Sequence, residues 1–321
     1  MGKYAEEGLS RTQNVEYQYD KVFVLLLRWQ EDRQSNHPAQ DLLKVFRDSY
    51  HFDASIITIC SYNSLESVLS RLRDIEENLK QKNTLLIVAY IGHGGMSLDK
   101  SFSVCAGGID FPGWLPNPSF EWNKVQEELQ KMENDILIII DACNAAGTIV
   151  TADQSISKGR NEVIAACPYN ETTPLGFWTP KSISGSRSSA YQPCFTSALI
   201  DVLTQKSLLD GTPAFSAVNL HLEITKMIID RCYTELVLNN SGWLRQPVYY
   251  RIGQDLQESS ISLKVLKEKD EPQEDSRLQS KKIQEFKKML ANFAKDQSDI
   301  DGQELQELFK EHMDLTSGKK K

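Results

Sequence analysis

The 321-residue sequence lacks any run of about 18 or more consecutive apolar residues, the length at which a segment predicts a membrane-spanning helix. Its polar first segment, MGKYAEEGLSRTQ, also lacks the apolar core of a secretory signal. Basic residues are in deficit, because 36 Lys and Arg stand against 44 Asp and Glu, for a formal net charge of −8. These absences argue against a membrane protein, a nucleic-acid-binding protein and a protein adsorbed to anionic lipid, since the last two need a basic face.

Cysteine is sparse, with six residues in the whole sequence and none of them in a C-x-x-C pair. A disulfide-stabilised secreted domain carries cysteine at a much higher density, and a structural zinc site usually shows paired cysteines. We therefore expect reduced thiols, no structural zinc and a cytoplasmic location.

Strand-like and helix-like segments alternate along most of the sequence. Apolar or β-branched runs of strand length occupy residues 21–29, 54–60, 85–91, 135–141, 161–167 and 246–252. Helical patterns occupy residues 37–51, 64–82, 121–132, 194–205 and 215–233. This alternation predicts an α/β fold, with a mostly parallel sheet of about six strands and helices on both faces.

The composition divides the chain into four segments. A polar N-terminal segment covers residues 1–20, and the strand and helix pattern predicts one α/β domain over residues 21–255. Residues 256–282 are charged and contain Pro272, which favours an exposed linker. Residues 283–321 have the pattern of a helix, an acidic loop and a second helix, and predict a small helical hairpin.

Two of the predicted strands end in a residue type capable of acyl chemistry. The run LLIVAYIGHGG places His93 just past one strand, and ILIIIDACNAAG places Cys143 just past another. Ligands bind at the carboxyl ends of parallel strands, so we expect both residues at one edge of the sheet. A thiolate attacks acyl carbons, and a histidine can take up its proton and return it to the leaving group. The backbone N–H groups of Gly94 and Cys143, set among small residues, are the candidate oxyanion hole.

Each residue alone has a simpler interpretation. A cysteine at a strand end is usually a small buried hydrophobe, and a histidine there is more often a hydrogen-bonded polar group. The equivalent positions and glycine-rich surroundings of His93 and Cys143 favour the catalytic interpretation. The other four histidines lie in or beside predicted helices or in the C-terminal segment.

The stretches VFVLLLRWQED, LLIVAYIGHGG, IIIDACNAAG and FTSALIDVL resemble the caspase-like family of cysteine peptidases, which includes caspases and metacaspases. The likeness spans residues 21–254 and is especially to the fungal-type modules. In this family the histidine precedes the cysteine by about 50 residues, and His93 precedes Cys143 by that distance. The resemblance implies a caspase-like fold and a catalytic dyad of Cys143 and His93. The animal-caspase signature Q-A-C-[RQG]-G is absent, since Asp141 replaces the glutamine.

The resemblance also assigns a pocket for the P1 residue, the substrate residue before the scissile bond. Metacaspases carry an aspartate where Asp141 stands and accept Arg or Lys at P1, because a carboxylate at the pocket floor neutralises such a cation. By their positions in loops, Glu31, Asp32 and Glu171 are further candidates for this pocket. The alternative for Asp141 is a carboxylate that caps a helix or closes a loop.

In many relatives a loop between the cysteine strand and the next strand is cut during activation. Lys158 and Arg160 lie in this loop, TIVTADQSISKGRNE, and suit an Arg- or Lys-specific peptidase. They are equally consistent with solvated charges in a short loop.

The segment AKDQSDIDGQEL resembles the first, shortened hand of the penta-EF-hand family, as found in calpains. The resemblance implies calcium ligands at Ala294, Gln297, Asp299 and Glu304. Gln297 replaces the usual acid, which weakens such a site because it removes one charge. The alternative is an acidic helical pair that docks or dimerises.

Together these features predict a cytoplasmic cysteine endopeptidase that cleaves peptides or proteins after Arg or Lys. The chemistry requires no cofactor, and calcium is a candidate activator. A dimer formed through the C-terminal segment is a further expectation, and neither nucleic acid nor membrane is an expected partner. Two alternatives stay open, a catalytically inactive caspase-fold signalling module and an amidase that uses the same cysteine and histidine. The family analogy adds a role in programmed cell death.

Overall fold

A computed structural model describes residues 19–80, 83–107, 118–150, 157–171, 195–208, 214–239, 246–253 and 259–266. The chain divides after residue 267 into two units, and all described residues belong to the first. Most of the N-terminal segment, the helical hairpin at 283–321 and its four calcium ligands therefore lie outside the described residues. Their roles stay predictions.

Eleven strands and six helices lie within the described residues. The strands are β1 (Lys21–Trp29), β2 (Asp53–Ile59), β3 (Thr84–Ile91), β4 (His93–Met96), β5 (Phe102–Cys105), β6 (Ser119–Glu121), β7 (Asp135–Asp141), β8 (Asn161–Ala165), β9 (Phe215–Ser216), β10 (Val248–Ile252) and β11 (Ser262–Leu263). The helices are α1 (Asn36–Lys44), α2 (Ser64–Leu79), α3 (Trp122–Lys131), α4 (Gly147–Val150), α5 (Phe195–Ser207) and α6 (Ala217–Asn239). One π-helical turn, Val45–Ser49, continues α1.

Six of the strands form the central sheet, in the order β10-β8-β7-β3-β1-β2. Neighbouring strands are parallel, except that β10 runs antiparallel to β8 at one edge. β3 is buried along its whole length, as expected of a continuous apolar run that is covered on both faces. The predicted α/β fold class, with its mostly parallel six-stranded sheet, is confirmed.

The helices cover the two faces of the sheet and complete a core on each. One core packs α1, α5 and α6 against the sheet, and includes the fully buried Leu42 and Leu199. The other packs α2 and α3, and includes the fully buried Leu72 and Val125. The apolar stripes of the helices therefore face the sheet and hold the strand ends in fixed positions. In the part of the chain that is described, no helix combines the length and apolar character needed to cross a bilayer.

A second sheet consists of three short antiparallel strands, in the order β4-β5-β6. β4 begins at His93, so this residue starts a new strand after the carboxyl end of β3. In the small sheet Cys105 pairs with His93 on one side and with Ser119 on the other. The pairing fixes the backbone that carries the histidine.

Within the predicted linker at 256–282, residues 259–266 pack on the domain. β11 pairs with β9 there, and Ile261 is fully buried. The buried carboxylate of Glu162 accepts hydrogen bonds from the Ser260 hydroxyl (2.8 Å) and the Ile261 N–H (3.0 Å). This contact depends on a few apolar residues. Because the wider segment is rich in charged residues, the sequence pattern does not predict it. We call residues 259–266 the strap.

A chain truncated after residue 267 should be more stable than one truncated after residue 258, by about 2–4 kcal/mol in the free energy of unfolding. The strap buries the side chains of Ile261 and Leu263, and the entropy of ordering it offsets part of this gain. Urea unfolding followed by circular dichroism measures the difference. Equal stability of the two chains would contradict a structural role for the strap.

Candidate active site

The register of β3 on β7 brings the two predicted catalytic residues to one edge of the sheet. Ile91 pairs with Asp141 at the carboxyl ends of these adjacent parallel strands. The N–H of Gly92 donates a hydrogen bond to the Asp141 carbonyl (3.0 Å), which extends the contact by one residue. His93 and Cys143 each follow two residues after these paired ends. Both therefore lie at the same edge, where the sequence places them.

Gly94 is packed so tightly against the Cys143 segment that a larger residue does not fit. A Cβ atom on Gly94 would lie 2.9 Å from the Ala142 Cβ and 3.0 Å from the Cys143 carbonyl oxygen. Cε2 of Phe102 blocks the same position at 2.9 Å. The glycine thus lets the backbone after the histidine approach the backbone of the cysteine, as an oxyanion hole formed by both would require. The oxyanion hole itself stays a prediction.

A tight turn presents Cys143 at the end of β7. Asn144 adopts a left-handed conformation with φ of 58°, which asparagine tolerates better than most residues. Its N–H donates to the Glu171 carbonyl (2.7 Å), and its side-chain amide donates to the Tyr169 carbonyl (2.6 Å). The Gly147 N–H then donates to the Asn144 carbonyl (2.7 Å) at the start of α4. The sequence pattern did not identify Asn144, although an asparagine directly after a candidate nucleophile is an available signal.

His93 is half-buried, and two opposing effects act on the pKa of its imidazole. Burial lowers the pKa of His93 below its usual value, while the negative charge of Asp32 raises it. Burial has the larger effect, so the neutral imidazole is the favoured form at neutral pH. A neutral imidazole can accept the proton of a thiol.

Three described cysteines interact electrostatically near this edge of the sheet, namely Cys105, Cys143 and Cys167. Of these, Cys143 is the one whose thiol is accessible to solvent. Burial raises the pKa of Cys105 and of Cys167 to about 12, and the charge of Cys143 raises both further. These two thiols therefore stay protonated at neutral pH and do not act as nucleophiles. Cys143 is half-exposed, and it is not part of a disulfide.

Asp141, predicted to line the P1 pocket, is buried and contacts the first turn of α5. Its Oδ2 accepts hydrogen bonds from the N–H (3.1 Å) and the hydroxyl of Thr196, so the helix-capping alternative is observed. Its Oδ1 is buried and accepts no hydrogen bond from the described residues. Burial raises the pKa of Asp141 from 3.8 to about 6, against the lowering effect of the Thr196 bonds. The pocket role stays a prediction.

The other three carboxylates predicted for the P1 pocket lie in different environments. Glu31 is exposed and accepts a hydrogen bond from the Ser61 hydroxyl, in the loop after β2. Glu171 is half-buried in the segment after β8. Asp32 is buried, and its charge acts on His93. The structure thus gives Glu31 and Asp32 different neighbours, although they are adjacent in the sequence.

The two predicted processing residues differ in accessibility. Lys158 is exposed. Arg160 forms an ion pair with Asp135 and donates hydrogen bonds to the Tyr19 hydroxyl (3.0 Å) and the Ser259 carbonyl (2.9 Å). These bonds fix Arg160 directly before β8, so a peptidase could cut after it only once they had broken. Lys158 is the more accessible candidate, and processing at either residue stays a prediction.

The described residues include no group of three or more His, Cys, Asp or Glu side chains that could hold a metal ion. The predicted calcium ligands, Ala294 to Glu304, lie outside this part of the chain.

The comparisons with known proteins do not assign the chain to a family. The sequence matches no family model, and no curated protein matches it. Among solved structures, the fold is similar to Caspase-1 from Spodoptera frugiperda, with 12% identity and a TM-score of 0.47 over 78% of this chain and 91% of that chain. Protein GSU0716 from Geobacter sulfurreducens shows 15% identity and a TM-score of 0.46 over 73% and 94% of the two chains. The Drosophila initiator caspase Dronc shows 10% identity and a TM-score of 0.42 over 71% and 78%. Likenesses at these TM-scores and identities assign neither a family nor a reaction.

Iodoacetamide at pH 6.5 should alkylate Cys143 faster than the exposed Cys60, because a histidine that takes up the thiol proton produces thiolate below the ordinary thiol pKa. His93→Ala should slow the alkylation of Cys143 by about 10–100-fold. The rate for Cys60 should not change, which makes Cys60 the internal control. Peptide mass spectrometry measures both rates in the same sample. Equal rates at Cys143 and Cys60 in the unaltered protein would contradict the pairing of Cys143 with His93.

Proposed function

We propose that this protein is a cysteine endopeptidase of the caspase and metacaspase type, which cleaves peptides or proteins after Arg or Lys. The observation that carries the proposal is the placement of His93 and Cys143 after adjacent strands, with Gly94 in contact with the Cys143 backbone. The sequence resemblance supports the same dyad, at a spacing of about 50 residues.

The proposed reaction begins when His93 takes the thiol proton of Cys143 and the sulfur attacks the scissile carbonyl carbon. The N–H groups of Gly94 and Cys143 stabilise the resulting oxyanion. His93 then gives its proton to the leaving amine, and a thioester remains on Cys143. Water, deprotonated by His93, attacks the thioester, and the acid product leaves as the thiol reforms.

Selection of Arg or Lys at P1 is assigned to Asp141. Its Oδ1 is buried without a hydrogen-bond partner among the described residues, and its other oxygen is held by Thr196. A buried carboxylate with one unsatisfied oxygen gains most from a cationic partner and excludes an anionic one.

Calcium activation, a cytoplasmic location and dimerisation through the C-terminal segment belong to the same proposal. They rest on the sequence of residues 283–321 and on composition, and the chemistry at Cys143 requires no cofactor.

Fluorogenic peptides that differ only in Arg or Asp at P1 test the proposed reaction. We expect turnover of the Arg peptide alone, with a loss of at least about 10³-fold in Cys143→Ala, since the nucleophile is removed. Parallel assays with and without millimolar calcium test activation. Turnover of the Asp peptide would keep the dyad and contradict the pocket assignment. Cleavage of neither peptide would favour the signalling module, or the amidase if a small amide reacts.

Asp141→Asn should abolish the preference for Arg over Asp at P1 and lower kcat/KM for the Arg peptide by about 100-fold. The catalytic dyad stays intact in this variant, so alkylation of Cys143 should continue. Unchanged cleavage of the Arg peptide would remove Asp141 from the pocket.

Asp141→Asn should lower the activity, as stated above, but it should raise the stability of the fold. The pKa of Asp141 is raised from 3.8 to about 6, so the folded protein binds this proton more tightly than the unfolded chain does. Stability therefore falls as the pH rises from about 4 to 6. Asp141→Asn removes this loss and should raise the free energy of unfolding at pH 7.5 by about 1–3 kcal/mol. Urea unfolding at pH 5 and 7.5 measures it, with the exposed Asp41→Asn as the matched control; destabilisation at pH 7.5 would contradict a buried, poorly solvated carboxylate.

A further inference from the structure

Three chemically active side chains follow three adjacent strands of the sheet. In the strand order β7-β3-β1, Cys143 follows β7, His93 follows β3 and Asp32 follows β1. These strands are parallel, so the three residues lie at one edge with the histidine in the middle. Thiol, imidazole and carboxylate in this order are the arrangement in which a third group orients a catalytic base.

The loop after β1 holds the Asp32 carboxylate in place. Asp32 is only 4% exposed. Its Oδ1 accepts hydrogen bonds from the N–H groups of Gln34 (2.9 Å) and Ser35 (3.2 Å), just before α1. The Arg28 guanidinium donates to the Asp32 carbonyl (3.2 Å), which fixes the backbone of the same residue. Both hydrogen bonds to Oδ1 of Asp32 therefore come from backbone N–H groups of its own loop.

The other oxygen faces the residue that precedes His93. Oδ2 of Asp32 is buried, accepts no hydrogen bond from the described residues, and lies 3.3 Å from the point where a Cβ atom on Gly92 would sit. The Tyr90 hydroxyl lies 2.8 Å from the same point and donates to the His93 carbonyl (2.7 Å). A glycine at 92 therefore leaves room for the carboxylate and the phenol to approach the histidine backbone together. A buried carboxylate oxygen without a donor is costly unless a cation forms beside it.

We propose that Asp32 is a positioning residue for His93, which orients the imidazole and stabilises its protonated form, and that it is not part of the P1 pocket. This inference rests on the proposed reaction of Cys143 and His93. It replaces the pocket role that the sequence assigns to Asp32.

The other titratable groups around His93 do not supply this charge. Tyr90 and Cys105 are buried, and burial raises the pKa of each far above neutrality, so both are uncharged. In the proposed reaction Cys143 is the group that gives its proton to His93, so it does not supply this charge beforehand. Among these described neighbours, Asp32 is therefore the carboxylate available to stabilise the imidazolium as it forms. Its charge acts in this direction, opposing the burial of His93.

The test compares Asp32→Asn with the unaltered protein. Asparagine keeps the size of the side chain and an oxygen for the Gln34 and Ser35 N–H groups, while the charge is lost. Asp41→Asn, on the exposed face of α1, is the matched control for the loss of one carboxylate. Titration of ¹³C-labelled histidines by NMR, in a Cys143→Ala background, gives the pKa of each of the five histidines. His93→Asn assigns the signal of interest.

We expect Asp32→Asn to lower the pKa of His93 by about 0.5 or more, because a stabilising negative charge is removed. In the protein with Cys143 intact, kcat for the Arg peptide should fall about 10–100-fold with little change in KM. Asp32→Glu should recover part of the loss, and Asp41→Asn should change neither value.

Three results would overturn the inference. One is an unchanged pKa of His93 in Asp32→Asn, and another is an unchanged kcat. The third is a rise in KM for the Arg peptide alone, which would return Asp32 to the P1 pocket. Failure of the proposed reaction is distinguishable, because it would appear as absent turnover in the unaltered protein, whereas the NMR titration of His93 needs no substrate.

Discussion

The parallel pairing of β3 with β7, with Ile91 opposite Asp141, is the constraint on which the candidate site depends. A strand slipped by one residue would turn its side chains to the opposite face of the sheet and separate the two chain segments that follow. Apolar side chains on both faces hold this register, since β3 is buried throughout and β7 from its second residue onward. Core packing thus fixes the position of His93 relative to Cys143, independently of any contact that these two side chains make.

Two carboxylates at this edge of the sheet, those of Asp32 and Asp141, are buried away from solvent. Asp32 and Asp141 each have one oxygen that is buried and accepts no hydrogen bond from the described residues. Both lie at the edge that carries His93 and Cys143. A buried carboxylate oxygen without a hydrogen-bond donor lowers stability. We assign Asp141 to the substrate and Asp32 to the base, so each carboxylate gains a cationic partner during the proposed reaction.

The main strands and the placement of His93 and Cys143 could be predicted because long apolar runs leave little choice of structure. Features that depend on contacts distant in sequence could not. Asp141 binds Thr196, 55 residues further along the chain, and no local pattern shows that contact. Asp32 follows a strand, and the sequence alone cannot say whether its carboxylate faces a pocket or the histidine. The strap was concealed because two or three apolar residues decide its packing within a charged segment.

The central claim is that Cys143 is a nucleophile activated by His93 and directed to substrates with a cationic P1 residue. Mass-spectrometric mapping of the adduct formed with an Arg-terminated peptidyl chloromethyl ketone tests it most directly. We expect one adduct, on Cys143, which is prevented by excess Arg peptide and strongly reduced in His93→Ala. An adduct on Cys60, or labelling of Cys143 that is indifferent to both the Arg peptide and His93, would contradict it.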